Sequence, residues 1–324
     1  MSSGPEEIAQ AIARLKAGGV VAFPTETVYG LGADAFNEDA VAKVFALKGR
    51  PATNPLIVHV SGSSMARRVA ADWPARADRL ARSFWPGPLS LVVPKAPDLP
   101  SIVTAGLPAV ALRSPLHPLT LALIDAADTP IVGPSANRSG HVSPTTAEHV
   151  RREFDGGDVL VLDGGPCQGG IESTVVSLLS PTPRVLRLGL VTPEQIAHCL
   201  GRIVDIGPAP ADEAPVPSPG QLPTHYAPHA PARLVAREAV PALLAERSAD
   251  AIVVVDTRSH PGVRTVVLPA EAREYAAGLY AALRRADDMN PGLIAIVAPE
   301  RKNRDGALWD AIVDRLARAT APRP

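Results

Sequence analysis

The chain has 324 residues, 46% of them hydrophobic and 20% charged, the profile of a soluble globular protein long enough for two domains. Its 32 basic and 33 acidic residues leave a net charge of -1, which argues against a general nucleic-acid-binding surface. Two cysteines, Cys167 and Cys199, cannot build a disulfide framework, and no apolar run approaches the roughly 18 residues that cross a bilayer.

The N-terminal stretch MSSGPEEIAQAIARL reads as an amphipathic helix with acids in its first turn, without the basic start and apolar core of a secretory signal. The expectation is a cytoplasmic protein with reduced thiols. A strand follows, GVVAF (19–23), then the polar, glycine-bearing loop FPTETVYGLGADAF (23–36) and a helix, EDAVAKVFALKG. Further strands are expected at PLIVHV (55–60), LSLVV (89–93) and AVALR (109–113), then a helix at HPLTLALIDAA and a strand at PIVG (130–133). Thr145-Thr146-Ala147-Glu148 fits a T-x-x-E capping box, and Thr192-Pro193-Glu194-Gln195 joins a threonine cap to a proline and a glutamine. Between these helix starts lie DVLVL (158–162), STVVSLL (173–179) and RVLRL (184–188). Residues 1–206 therefore predict an α/β domain on a mixed, twisted sheet. Residues 207–231 hold eight prolines, the composition of an extended, semi-rigid linker. The pattern then restarts with RLVA, a helix from Glu238, AIVVVD (251–256), RTVVLP (264–269), a helix from Glu271, GLIAIVAP (292–299) and a helix from Gly306. That alternation predicts a smaller, doubly wound α/β domain over 232–324.

Most standard signatures are missing. There is no P-loop and no GxSxG elbow. Gly30-Leu31-Gly32-Ala33-Asp34-Ala35 matches a dinucleotide fingerprint, but it lies too far beyond its strand to serve as one. His225 and His229 are separated by Pro228, which denies them a shared helix face, and the two cysteines offer no zinc spacing. Three loops carry the remaining chemistry. The first releases Thr25, Glu26, Thr27 and Tyr29. The second, KGRPATNPLIVH (48–59), holds Lys48, Arg50 and His59 inside a stretch, 40–71, without a single carboxylate. The third, GPSANRSGHVSPTT (133–146), supplies Ser135, Asn137, Ser139 and Ser143. Each has a plainer reading as a turn or a helix end, Lys48 and Arg50 included, since cations offset a helix dipole. Together they offer cations, hydroxyls and an amide near strand ends, where α/β sheets bind ligands; Arg113 and Arg187 end two further strands. A phosphate-bearing substrate fits that set.

The motifs FPTETVYGLGADA, KGRPATNPLIVHV, PSANRSGHVSPT and GGIESTVVSL, in this order, resemble the Sua5/YrdC family of L-threonylcarbamoyladenylate synthases. The linker segment SPGQLPTHYAP resembles the signature of the two-domain Sua5 type. The resemblance implies an N-terminal YrdC-like twisted mixed-sheet domain and a smaller Sua5 C-terminal domain. It implies a nucleotidyltransferase making threonylcarbamoyl-AMP and pyrophosphate from L-threonine, bicarbonate and ATP. A partner transferase then moves the group to adenosine 37 of tRNA. On this resemblance Lys48, Arg50, Ser135 and Asn137 match a catalytic tetrad around the phosphates. Asn54, Ser143, Arg187 and Tyr226 match the ATP site, with Arg50 and Ser135. Thr27, His59, Arg113, Ser173 and Thr174 match the threonine and carbamate side. Two positions depart from the family pattern: Leu188, where proline is usual after the arginine, and Ser177, where aspartate is common.

The chemistry so implied is adenylation, in which positioning and charge neutralisation do the work. Mg2+ is expected on the phosphates rather than in a protein cage. A carbamoyl-adenylate-forming hydrogenase maturation protein would carry acylphosphatase and zinc-finger segments, which this chain lacks. An RNA-binding module is the reading from another class; net charge and 12 aromatics in the whole chain weigh against it.

Overall fold

The computed structural model describes residues 3–207, 225–300 and 305–322. The first part runs α1 (Pro5–Lys16), β1 (Val21–Phe23), β2 (Gly30–Asp34), α2 (Glu38–Lys48) and β3 (Ile57–His59). It continues through α3 (Ser63–Val69), α4 (Ala75–Phe84), β4 (Leu89–Pro94), α5 (Ser101–Thr104), β5 (Ala109–Arg113) and α6 (Pro118–Ala127). It closes with β6 (Ile131–Val132), α7 (Ala147–Glu153), β7 (Leu160–Val161), β8 (Thr174–Ser177), β9 (Arg184–Arg187), α8 (Pro193–Leu200) and β10 (Asp205–Ile206). These strands form one ten-stranded mixed sheet in the order β10-β9-β8-β4-β5-β3-β6-β2-β1-β7. The second part contains β11 (Ala232–Val235), α9 (Val240–Glu246), β12 (Ile252–Asp256), β13 (Arg264–Val267), α10 (Ala272–Asp288), β14 (Leu293–Val297) and α11 (Gly306–Ala319). Its four strands are all parallel, ordered β11-β14-β12-β13.

Local chemistry explains where the helices begin and stop. Asn37 caps α2 by accepting from the Ala40 amide at 3.0 Å, and Gly49 ends it at φ 58°. Thr192 and Gln195 close the expected capping box on α8, with Pro193 at its first position. The box expected at Thr145 is displaced by one residue. Thr146 caps α7 through the His149 amide, because the Thr145 amide is already committed to the His149 ring at 3.2 Å.

β2 corrects a second expectation, since Gly30–Asp34 lies within the stretch read as a loop. It has no β-branched residue to announce it, yet it pairs with β1 and β6. The glycines are there for Phe23: a Cβ on Gly30 or Gly32 would meet its ring at 2.5 or 2.7 Å. They are buried inside a strand, which removes the dinucleotide reading on structural grounds. α3, α4 and α5 were not foreseen either; α4 buries only Ala77, Leu80 and Ala81, too narrow a stripe to read as helix beforehand.

In the second part, β12 reads IVVVD because both its faces are covered. Ile252 and Val254 share one core with Val240 and Leu243 of α9, while Val253 and Val255 share another with Tyr275, Leu279 and Ile312 of α10 and α11. Helices on both faces of a parallel sheet make the doubly wound layer expected. The same α10–α11 core takes in Val28, Val142, Ile171 and Tyr226 from outside this part, so the two sheets share packing across their boundary. At that boundary a Cβ on Gly170 would come within 2.2 Å of the Ala276 carbonyl oxygen. Most of the linker, 208–224, lies outside the described residues; the large sheet ends at Ile206 and the small one begins at Ala232. No helix among the described residues is long and apolar enough to cross a membrane.

Candidate active site

The three chemistry-bearing loops meet in one place because backbone bonds lace them together. The Tyr29 amide donates to Pro144, Leu31 to Pro134 and Ala136 to Tyr29, tying 24–31 to 133–144. Thr25 Oγ1 turns the first loop by donating to the Val28 carbonyl at 2.6 Å and accepting from the Thr27 and Val28 amides. Register in the sheet does the rest: β3 and β5 are parallel with His59 opposite Arg113. The resulting cavity is walled by Thr27, Arg50, His59, Arg113, Ser135, Glu172, Ser173 and Arg187, and roofed by His225 and Tyr226.

On one side, the Arg113 guanidinium is buried against Glu26, 2.7 Å away, and donates to Thr27 Oγ1 at 2.9 Å and the Gly87 carbonyl at 3.2 Å. Glu26 also accepts from the Leu116 amide at 3.1 Å. His59 stacks edge-on against Phe23, and burial together with Arg113 holds its pKa well below the usual imidazole value. It is a neutral hydrogen-bonding wall at any physiological pH.

On the other side, Arg50 is anchored by the carbonyls of Asn54 (3.3 Å) and Pro55 (3.0 Å). Burial pushes its pKa down to about 10, which leaves it charged. Arg187 donates to the Ser173 carbonyl and hydroxyl, each at 3.1 Å, and Ser173 in turn touches Ser90 at 2.8 Å. Lys48 behaves differently from a surface cation at a helix end. Its ammonium is buried, donating to the carbonyls of Ser135 (2.6 Å) and Asn137 (2.5 Å), and burial with nearby Arg50 holds its pKa well below the lysine range. Asn137 likewise spends its amide on the Arg138 and His141 carbonyls. Thr174 bonds the Val191 carbonyl at 2.6 Å, and Ser143 bonds Glu172 at 2.8 Å. Thr27, Arg50, His59, Arg113, Ser135, Ser173, Arg187 and Tyr226 line the cavity, whereas Lys48, Asn54, Asn137, Ser143 and Thr174 do not, nor do Thr25, Glu26, Tyr29 and Ser139 of the same loops.

Three participants were not singled out beforehand. Glu172 sits inside the GGIEST motif, a signal that was available. Tyr280 and Arg315 lie on helices without any motif, and only tertiary packing brings them to Glu172 at 2.9 and 3.0 Å. The roof comes from the linker's end. Tyr226 is 1% exposed, holds φ 62°, stacks on Tyr280 at 5.5 Å and against His225 at 4.1 Å. His229 instead meets His141 at 4.5 Å, so the two linker histidines serve different neighbours. Beneath the roof only about 50 Å³ remains, against the roughly 300–1,000 Å³ of a typical ligand site. His59 Nδ1 and His225 Nδ1, both on residues that line it, are buried with no hydrogen-bond partner among the described residues, the pattern of a wall built for a polar ligand.

Two family models divide the chain. One, described as telomere recombination (Sua5–YciO–YrdC), matches residues 13–189. The other, the C-terminal domain of threonylcarbamoyl-AMP synthase, matches 191–321. The chain belongs to the Sua5–YciO–YrdC family. A threonylcarbamoyl-AMP synthase of Bacillus subtilis is 44% identical, covering all of this chain and 95% of that protein. One of Pyrococcus abyssi is 38% identical over 95% of this chain and 92% of its own. The crystal structure of Pyrococcus abyssi Sua5 complexed with L-threonine aligns with a TM-score of 0.89 at 38% identity, covering 97% of this chain and 94% of that one. At the two departures from the family pattern, the Leu188 carbonyl, a group proline would equally supply, accepts from Arg315 at 2.8 Å just past the end of β9, and the Ser177 hydroxyl accepts from the Leu179 amide.

Proposed function

We propose that this protein is an L-threonylcarbamoyladenylate synthase: it makes threonylcarbamoyl-AMP and pyrophosphate from L-threonine, bicarbonate or CO2, and ATP. A tRNA threonylcarbamoyl transferase consumes the product at adenosine 37, in the cytoplasm. The observation that carries this reading is the single cavity holding Arg113 beside Thr27 and His59 on one wall, and Arg50 with Arg187 on the wall under Tyr226. One fork suits a carboxylate and the others a polyphosphate.

In this reading residues 1–206 form the catalytic domain, 207–231 the linker and lid, and 232–324 the Sua5 domain. The threonine carboxylate docks on Arg113, which Glu26 holds in orientation. The threonine amine captures CO2 as a carbamate, whose oxygen attacks the α-phosphorus; the bond to the β-phosphate bridging oxygen breaks and pyrophosphate leaves. Arg50 and Arg187 neutralise charge on the phosphates, and Ser135 supplies a hydroxyl. Lys48 and Asn137 act one step back, by fixing the loop that carries Ser135. Mg2+ carried on the triphosphate would add positive charge beside Arg50 and Arg187. Glu172 on the cavity wall and Glu26 beside Arg113 are both engaged by arginines and form no cage for it. In this reading the Tyr226 roof lifts for ATP and closes for chemistry, which shields the adenylate from water.

The deciding assay is pyrophosphate release. It should require both threonine and bicarbonate, and Arg50→Ala should lower it at least about tenfold through loss of a charge-assisted phosphate contact. A folded Arg50→Ala variant with wild-type turnover overturns the assignment of Arg50. An RNA-binding module would release no pyrophosphate at all.

A further inference from the structure

Glu172 is a wall residue to which the chemistry above gives no part. It is 7% exposed and borders the cavity, where an uncompensated negative charge would repel a triphosphate. Burial pushes its pKa up, but Arg315, Arg187 and Ser143 outweigh that and keep it below the ordinary range, so it is ionised. Both oxygens are engaged: Oε1 accepts from Ser143 at 2.8 Å, and Oε2 from Tyr280 (2.9 Å) and Arg315 (3.0 Å).

Tyr280 on α10 and Arg315 on α11 belong to the small-sheet part, not to the one that carries the cavity. The same two side chains hold the roof. The Arg315 guanidinium lies 5.8 Å from the centre of the Tyr226 ring, and the Tyr280 ring stacks on it at 5.5 Å. Tyr226 keeps a left-handed φ of 62°, a conformation that a tyrosine holds only where its surroundings impose it. The roof's backbone is fastened to the same helices. His225 donates to the Arg318 carbonyl at 3.3 Å, and the His229 and Ala230 amides donate to Asp287 at 2.7 and 2.8 Å.

We propose that Arg315 and Tyr280 are positioning residues of the nucleotide site: they cancel the charge of Glu172 on the cavity wall and seat Tyr226 over it. The second domain thereby completes the site instead of merely following it in the chain. This rests on reading the cavity as the place where ATP binds. Breaking a buried pair by removing one partner leaves the other charge exposed to the ligand, whereas removing both charges together does not.

The test uses full-length protein, with the ATP Kd measured by calorimetry beside turnover. Arg315→Met should weaken ATP binding at least about tenfold and leave the KM for threonine within about twofold of wild type. Adding Glu172→Gln to Arg315→Met should return the ATP Kd to within about threefold; a general packing defect would not be relieved by a second buried substitution. Tyr280→Phe, which removes one hydroxyl from Oε2, should raise the ATP Kd a few-fold and keeps the question open to test where Arg315→Met does not fold. An unchanged ATP Kd in either single variant, or a loss that Glu172→Gln does not relieve, overturns the proposal. Wild-type protein that binds ATP but releases no threonine-dependent pyrophosphate overturns the reaction instead, and the Kd series still decides the roles of Arg315 and Tyr280.

Discussion

Arg113 shows how much one side chain's geometry decides. Its guanidinium reaches Glu26, Thr27 and the Gly87 carbonyl from a buried position, which only a planar fork on a long stem satisfies together. Arg113→Lys keeps the charge but loses the fork. It should raise the threonine KM by about tenfold or more while leaving ATP affinity nearly unchanged. A fall in ATP affinity instead would place Arg113 on the nucleotide side. Lys48 teaches the opposite lesson. From the same acid-free stretch as Arg50, its side chain is buried and ties a loop down through the Ser135 and Asn137 carbonyls.

At the scale of elements, the roof segment 225–230 depends on a histidine that must stay neutral. Burial, with Lys48, Arg50 and Arg187 nearby, outweighs Glu172 and pushes the His225 pKa down to about 3. The unfolded chain titrates near 6.5, so between pH 6.5 and about 3 it binds more protons than the folded one. The stability His225 contributes is therefore complete above pH 6.5 and is lost as pH falls through that window. Melting temperatures should drop between pH 7 and 5, and His225→Gln should flatten that drop. An identical pH profile in the variant would remove His225 as its source. β2 belongs to this scale too. Its glycines are legible only once Phe23 is seen beneath them, because strand propensity describes side chains and Gly30 and Gly32 have none.

Across the whole molecule, the two parts are clasped by more than the active site. Glu153 on α7 accepts from Arg284 on α10 at 2.8 Å and from the Arg138 amide at 3.2 Å, with His141 3.5 Å away; Arg284 also bonds the Val142 carbonyl. Burial raises the Glu153 pKa, but nearby His141, the bond from Arg284 and the Arg138 amide outweigh it and bring the value to about 2. A depressed carboxyl pKa contributes stability that is present above the unfolded value of about 4.3 and is lost as pH falls toward 2. Glu153→Gln should lower the melting temperature at pH 7 by about 2–4 °C and make the acid transition below pH 4.5 shallower. An unchanged transition would mean that the clasp carries none of the acid sensitivity.

Read alone, the amino-acid sequence determined the alternation of elements and pointed to many of the residues that border the cavity, though not to Glu172. Alternating apolar runs, caps and the four loop motifs are local properties, written within a few residues of one another. It did not determine that Tyr280 and Arg315 close on Glu172. Those two sit on helices whose patterns report only that one face is buried, and helical periodicity is silent about which partner buries it. Nor did it determine that Lys48 stands behind the wall while Arg50 stands in it, although they are two residues apart. That was settled by the depth at which the end of α2 meets the 133–139 loop, a distance that exists only in the folded molecule.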